Sequence, residues 1–463
     1  PSSRDVDFMA QVLQKSKGQN ICLPQGEISD TCIDFQSVEA VNRKLRPLLR
    51  RLVRTRFFRT LKVDLYRPCE LWNSEGSCFQ PNCIVKPLED DTVPDAWKVS
   101  TVDNFDSSPF SRKLITRHPI PEFSDRDFVV VSDEAYGDGI WVDLQDNPER
   151  FTGYAGPEAN RVWETIYNEN CFGVAPLMRD TASGWGNQQT ELDGTRQPFV
   201  APPKHKGELV GFLKDLGFGE DSEKLRRPSV PLEIRSFYRL ISGFHASVST
   251  HICYNYLNHT TNHWERNLGC FISRIGAFPD RLQNIYFDYV VLLSSIKKMA
   301  HYLENYNYST GSPKRDKTTQ RLIKRILRVA CESSISLEED QFFAGSNGPA
   351  LKEDFKASFR NISRVMDCTG CEKCRLWGKT QTMGLGTALK ALFSYPARAF
   401  GRGATSVSFK RNEIVSLFNT MHQFTTSIEA IGGFREMYQD LLVDYQLKND
   451  NGAGPALPER DEL

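Results

Sequence analysis

Three cysteines recur at every third position in Cys368-Thr369-Gly370-Cys371-Glu372-Lys373-Cys374. Residues three apart on a helix lie on neighbouring faces one turn up, so two thiols so placed can close a small disulfide. Arg375 and Lys379 follow closely, and nearby cations favour the thiolate, which is the reactive form. Cys371 and Cys374 therefore read as a redox-active pair. Other readings compete on the same residues. A zinc site needs a second Cys-x2-Cys or two histidines, and no second knuckle is visible. A ferredoxin run needs a fourth cysteine followed by proline, and Arg375 onward has neither. A purely structural disulfide stands level with the redox pair on spacing alone, with metal below both.

Other residues could also do chemistry. Cys78-Phe79-Gln80-Pro81-Asn82-Cys83 holds two thiols around a proline, which argues for a turn and not a helix interior. A dithiol on a loop can move and carry electrons; a stapled loop is the commoner outcome. Cys22 and Cys32 bracket a short polar loop, and a local disulfide is the plain reading. Ser242, His245 and Ser249 fall at spacings of three and four, one stripe of a helix. A lone histidine beside an apolar face is usually a packing residue, but one that shares its stripe with serines invites a polar ligand. Gly243 lets something approach the backbone closely. Arg274 and Arg281 frame Pro279; by default both are surface charges, as is Arg150.

The 463 residues carry 58 basic and 58 acidic side chains. Zero net charge argues against a general binder of nucleic acid or of anionic membranes. Peripheral membrane association stays open. The longest apolar run, about Tyr289 to Leu293, is too short to span a bilayer. No secretory signal heads the sequence, as expected of a mature form. Twelve cysteines suit an oxidising compartment. The final Arg460-Asp461-Glu462-Leu463 is similar to the retrieval signal of the endoplasmic reticulum lumen, which implies a retrieval receptor as partner. Asn258, Asn307 and Asn361 begin N-glycosylation sequons. Together these place the chain in the secretory pathway.

Cys-x-x-Cys-x-x-Cys-Arg-Leu-Trp-Gly-Lys, continued by Gln381-Thr382-Met383-Gly384-Leu385-Gly386-Thr387-Ala388-Leu389-Lys390, resembles the signature of the endoplasmic reticulum oxidoreductins. These are flavin-dependent thiol oxidases that recharge protein disulfide isomerase. The resemblance covers most of residues 20–447 and implies FAD as cofactor, with protein disulfide isomerase and molecular oxygen as partners. It assigns the shuttle disulfide to Cys78 and Cys83, and pairs Cys69 with Cys368. That bond would close a loop of about 300 residues, worth roughly 5 kcal/mol in the chain-entropy account. Leu88 stands where animal members often have a regulatory cysteine. The resemblance also implies FAD contacts at Arg150, Thr152 and Trp163, at Ser242 and His245 in Ser-Gly-x-His-Ala-Ser, and at Arg274 and Arg281. Trp163 offers a flat face and Arg150 a cation. Cys171 has an uncertain partner among Cys253, Cys270 and Cys331.

The elements that must hold these residues read as helices. Leu45, Leu48, Leu49, Leu52 and Val53 give a helix over about Val41–Phe58, with a strongly basic face between them. Phe237, Leu240, Ile241, Phe244, Val248 and Ile252 give a second, to about Leu257. Pro279 should start a third, to about Met299. Two more are expected near Arg411–Phe424 and Ser427–Tyr445. Residues 90–146 read as an irregular connection, 180–207 as a flexible insertion and 305–318 as a loop. No strand repeat appears, and Gly384-Leu385-Gly386 is too short a signal for a dinucleotide fold.

The expectation is one mainly α domain over 22–447, with flexible ends at 1–21 and 448–463. It has a helical-bundle core holding FAD, irregular loops, disulfide staples and a shuttle loop near 69–95. Its function would be to pass electrons from Cys78/Cys83 to Cys371/Cys374, to FAD and to oxygen, releasing hydrogen peroxide. The alternative is a disulfide-stabilised, resident binding or chaperone protein without flavin.

Overall fold

The computed structural model describes residues 34–65, 140–145, 147, 149, 232–258, 263–276, 278–368, 372–401 and 407–450. They are mainly helical. Helix α1, Phe35–Leu52, begins earlier than its apolar spacing suggests because Asp34 caps it, accepting from the Ser37 N–H at 2.7 Å. It buries Val38, Leu45, Leu48, Leu49 and Leu52, and keeps Pro47 on the exposed side. A short helix α2, Arg56–Arg59, follows. Next come α3 (Leu232–Tyr254) and α4 (Leu268–Phe271), which runs into a π turn, Ile272–Gly276. Helix α5 (Pro279–Lys298) carries Pro279 in its first turn, as the sequence implies. Helices α6 (Ala300–Asn305), α7 (Pro313–Glu332), α8 (Gly348–Val365), α9 (Glu372–Phe393) and α10 (Arg411–Asp450) complete the series. Helix α7 begins inside the stretch read as a loop, with proline again at its start.

Helix α5 is the centre of the core. Leu282, Ile285, Tyr286, Phe287 and Tyr289 through Leu293 are all at most 1 % exposed, and a helix apolar on every side must be surrounded. It packs against α3, α9 and α10, while α10 packs along α9 and α1. Across the α9–α10 contact, a Cβ on Gly384 would lie 2.1 Å from Thr420 Oγ1 and 2.6 Å from the Ser416 carbonyl oxygen. The glycine of Gly384-Leu385-Gly386 thus serves helix packing.

Two antiparallel strand pairs lie beside the helices: β1 (Thr60–Val63) with β2 (Ile140–Asp143), and β3 (Tyr256–Asn258) with β4 (His263–Glu265). Residues 140–143, near the end of the expected irregular connection, therefore form a strand, with Thr60 opposite Asp143.

Two further sequence expectations are corrected. The two C-terminal helices are one, α10. No proline or glycine interrupts the joint, and the Thr425 and Thr426 hydroxyls donate back to the His422 carbonyl at 2.6 and 3.0 Å within the helix. Cys253 and Cys270, taken as possible partners of Cys171, are bonded to each other, with Cα atoms 5.4 Å apart, joining the end of α3 to α4. Cys331 on α7 is a free, exposed thiol. Cys171 lies outside the described residues.

Asp288 on α5 is fully buried, and neither carboxyl oxygen has a hydrogen-bond partner. Burial pushes its carboxyl well above the usual range, so the folded protein holds it as a neutral acid. The unfolded carboxyl ionises near pH 4. A raised folded pKa means that stability is complete below that pH and is lost as pH rises through the interval. Asp288→Asn removes the titration. Its melting temperature should exceed that of the parent, and the gap should widen from pH 4 to pH 8, by about 1.4 kcal/mol per pH unit until the folded pKa is passed. A pH-independent gap in thermal melts would contradict this.

Candidate redox and cofactor site

Helix α3 carries Ser242, His245 and Ser249 on one stripe, all at most 2 % exposed. It can lie against α5 because residue 243 is glycine. A Cβ there would sit 2.3 Å from the Asn284 carbonyl oxygen and 2.6 Å from Asp288 Oδ2. This contact lets Asn284 Nδ2 donate to Ser242 Oγ at 2.9 Å, leaving the serine its own O–H to donate.

Arg281 is in the first turn of α5 and only 6 % exposed. Its Nη1 donates to the Arg274 carbonyl oxygen at 2.7 Å, and its guanidinium lies 3.7 Å over the Phe278 ring. It thereby fastens the π turn that carries Arg274; single π turns often mark functional positions. His245 is fully buried. Burial first, then the Arg281 and Arg274 charges, hold its imidazole well below the usual range, so it is neutral. The structure thus brings together Ser242, His245, Arg274 and Arg281 from α3, the π turn and the start of α5. Two guanidinium groups, a helix N-terminus, a serine O–H and a neutral imidazole form a set suited to a phosphate-bearing ligand.

The cysteine motif is less regular than its spacing. Cys368 ends a 3-10 turn, Met366–Cys368, and Cys374 sits in the first turn of α9. The three cysteines therefore do not share one helix. Cys374 is 4 % exposed and disulfide-bonded. Its position near a helix N-terminus favours a thiolate once the bond is reduced. Lys379, one turn further on, is buried, and burial lowers its pKa despite its ion pair with Asp367. Its Nζ also donates to the Asp64 carbonyl at 2.7 Å, and Arg375 donates to the Leu65 carbonyl. Helix α9 thereby holds the chain at the point where the segment bearing Cys69, Cys78 and Cys83 begins.

A second set of bonds ties α9 to α3. Trp377 Nε1 donates to the Asn147 carbonyl at 2.8 Å, and Gln381 Nε2 to Glu149 Oε1 at 3.2 Å. The other oxygen of Glu149 lies 2.8 Å from His251 Nδ1, on α3. His251 Nε2 is 3.2 Å from the Gln423 carbonyl and 2.9 Å from Ser427 Oγ. Burial opposes charge on His251, yet the Glu149 carboxylate raises its pKa. A protonated ring can donate from both nitrogens, which matches these partners. The residues that follow Glu149 include Arg150 and Thr152.

Sequence reading missed Glu149, His251, Asn284, Asp288, Trp377 and Gln381. Cys374, Trp377 and Gln381 are spaced i, i+3, i+7, one face of a helix, a signal that was available. Arg150, Thr152, Trp163, Cys22, Cys32, Cys69, Cys78, Cys83 and Cys371 lie outside the described residues. Asn307 is exposed, with Oδ1 accepting from the Ser309 N–H at 3.0 Å. Asn258 ends β3 and Asn361 lies within α8. Among the described residues no cluster of His, Cys, Asp or Glu could hold a metal ion.

A family model of Endoplasmic Reticulum Oxidoreductin 1 (ERO1) matches residues 44–431. The chain belongs to the endoplasmic reticulum oxidoreductin family. An endoplasmic reticulum oxidoreductin-1 of Neurospora crassa is 35 % identical to this oxidoreductin, over 90 % of this chain and 69 % of that one. The human ERO1-like protein alpha is 34 % identical, over 91 % and 92 %. A solved structure of a mutant of S. cerevisiae Ero1p superposes with a TM-score of 0.61 at 28 % identity, covering 89 % of this chain and 99 % of that one. The oxidoreductin is thus a thiol-directed oxidoreductase of the endoplasmic reticulum, with a role in oxidative protein folding. No helix among its described residues is long and apolar enough to cross a membrane.

Proposed function

We propose that this oxidoreductin is an FAD-dependent thiol oxidase that reoxidises protein disulfide isomerase and uses oxygen as final acceptor. The observation that carries the reading is Cys374: buried, in a disulfide, and on the helix face that fastens residues 147 and 149 to α3. Arg274, Arg281, neutral His245 and the Ser242 O–H fit the pyrophosphate and polar groups of FAD. Arg150, Thr152 and Trp163 complete the proposed contacts. Flavin, when bound, supplies the two-electron chemistry that ends in hydrogen peroxide.

The chain's own part is thiol exchange and positioning. A thiolate of reduced isomerase attacks the Cys78–Cys83 disulfide, and a mixed disulfide forms as one cysteine leaves. The second isomerase thiol resolves it, leaving oxidised isomerase and a Cys78/Cys83 dithiol. That dithiol then reduces Cys371–Cys374 by the same exchange, moving two electrons and two protons inward. Arg375 and Lys379 anchor the base of the shuttle segment beside the second pair. Cys69–Cys368 and Cys22–Cys32 act as structural bonds. The C-terminal Arg-Asp-Glu-Leu is read by a retrieval receptor.

The purified protein should be yellow, with about one flavin per chain, and should consume oxygen and release peroxide with reduced isomerase. Colourless protein that binds the isomerase without taking up oxygen would replace this reading with that of a resident chaperone.

A further inference from the structure

Helices α3 and α9 carry the two halves of the proposed site, Ser242 and His245 on one and Cys374 on the other. Each packs on α5 and on α10. The Glu149 carboxylate bridges the two, with one oxygen to each. Its Oε1 accepts from Gln381 Nε2 on α9 at 3.2 Å, and its Oε2 lies 2.8 Å from His251 Nδ1 on α3. The Glu149 and His251 side chains are both 9 % exposed. The partners of the ring fix its charge. The Gln423 carbonyl, 3.2 Å from Nε2, can only accept. An ionised carboxylate facing Nδ1 can only accept as well. Both ring nitrogens therefore carry protons, and the buried pair is an imidazolium against a carboxylate. Ser427 Oγ, 2.9 Å from Nε2, shares the second of those protons and gives its own O–H to Ser247 Oγ at 2.8 Å, back on α3. The histidine thereby fastens α3 to α10 as well as to Glu149.

We infer that His251 is a positioning residue for electron transfer from Cys374 to the flavin: its cation holds Glu149 as the brace that sets the spacing of α9 from α3. The inference rests on the FAD reading above and acts through Glu149 and Gln381, not on the cofactor itself. A histidine that only filled space would serve as well without its charge. Here a neutral ring leaves the Glu149 carboxylate buried and unpaired, which is strongly unfavourable. The carboxylate then turns toward water, and the brace between α3 and α9 is lost. Burial opposes the charge on His251, but the Glu149 carboxylate and the Gln423 carbonyl outweigh it, so its pKa is raised. Beside it on α10, His422 stays neutral: burial, then the charges of Arg46, His251, Arg50 and Arg54, push it down to about 3. Among the described residues, α4, the π turn, α5 and α8 bring no charge to bear on His251.

The test measures the FAD dissociation constant of the full-length protein, by the fluorescence of released flavin, as pH is raised. A raised pKa means that the contribution of the cation is whole below the ordinary histidine value, near pH 6.5, and is lost as pH rises through the folded value. The constant of the parent should rise through that interval, by up to about tenfold per pH unit. His251→Gln should bind FAD about ten- to a hundredfold more weakly at the acid end and should lack this step. Its kcat with reduced isomerase should fall while KM holds, because the isomerase meets the proposed shuttle cysteines instead. Glu149→Gln should weaken binding similarly. The double variant His251→Gln/Glu149→Gln should regain most of the lost affinity, since it leaves no buried unpaired charge. A parent whose FAD affinity has the same pH profile as that of His251→Gln would overturn the inference, as would a double variant no better than the singles. If the variants do not fold, a flat profile of the parent alone overturns it. Parent protein that holds no flavin at any pH overturns the FAD reading, and this inference with it.

Discussion

Cys374→Ala should abolish oxygen uptake both with reduced isomerase and with a small dithiol such as dithiothreitol. A loss of ~10³-fold or more in kcat is expected, since a nucleophile that carries the electrons has no substitute. Cys374 is 4 % exposed and engaged in a disulfide at the start of α9, so it cannot act as an outer thiol. In the proposed relay every electron pair passes it, whatever the donor. Cys78→Ala should separate the two donors: activity with isomerase falls to background, while part of the dithiothreitol activity persists. Oxygen electrode traces on the two variants check this directly. Retained isomerase activity in Cys78→Ala would remove the shuttle role from Cys78 and Cys83. Retained activity of any kind in Cys374→Ala would remove the inner pair.

Gly243→Ala should cost both fold stability and flavin. In an ordinary helix interior the change would stabilise by about 1 kcal/mol. Here the added Cβ would lie 2.3 Å from the Asn284 carbonyl oxygen and 2.6 Å from Asp288 Oδ2. A backbone oxygen inside a core helix cannot turn aside, so α3 and α5 must separate, at about 1–3 kcal/mol or more. Separation also pulls Asn284 from Ser242 and shifts Arg281, one turn earlier on α5. The melting temperature should fall and the purified variant should lose its yellow colour at dilution. Gly432→Ala is the control. Nothing lies within 4 Å of its would-be Cβ, so α10 should gain up to ~1 kcal/mol with flavin retained. If Gly243→Ala were stabilising, the close contact of α3 with α5 would be refuted.

Local chemistry made much of this protein legible. Pro279 marked the start of α5 because proline fits a first helical turn. The Ser242–His245–Ser249 stripe was visible because helical spacing puts those residues on one face. The buried apolar stripe of α1 was visible for the same reason, but its beginning depended on a cap at Asp34, which the spacing does not register. Other features depend on distant partners. Glu149 and His251 are 102 residues apart and acquire their roles only through each other. The pairing of β1 with β2 joins strands some 80 residues apart. Cys253 and Cys270 gave no sign of choosing one another, since cysteine identity carries no pairing code. The single helix α10 was expected as two, although neither proline nor glycine stands at the joint.

Trp377 and Gln381 stand one and two turns beyond Cys374 on the same side of α9, and both grip the stretch that precedes Arg150. One rigid rod therefore registers the sulfur against the proposed seat of its electron acceptor. Tuning at either end must be felt at the other: a substitution that loosens Glu149 should displace the thiol–disulfide potential of the inner pair, although no atom of that pair has changed.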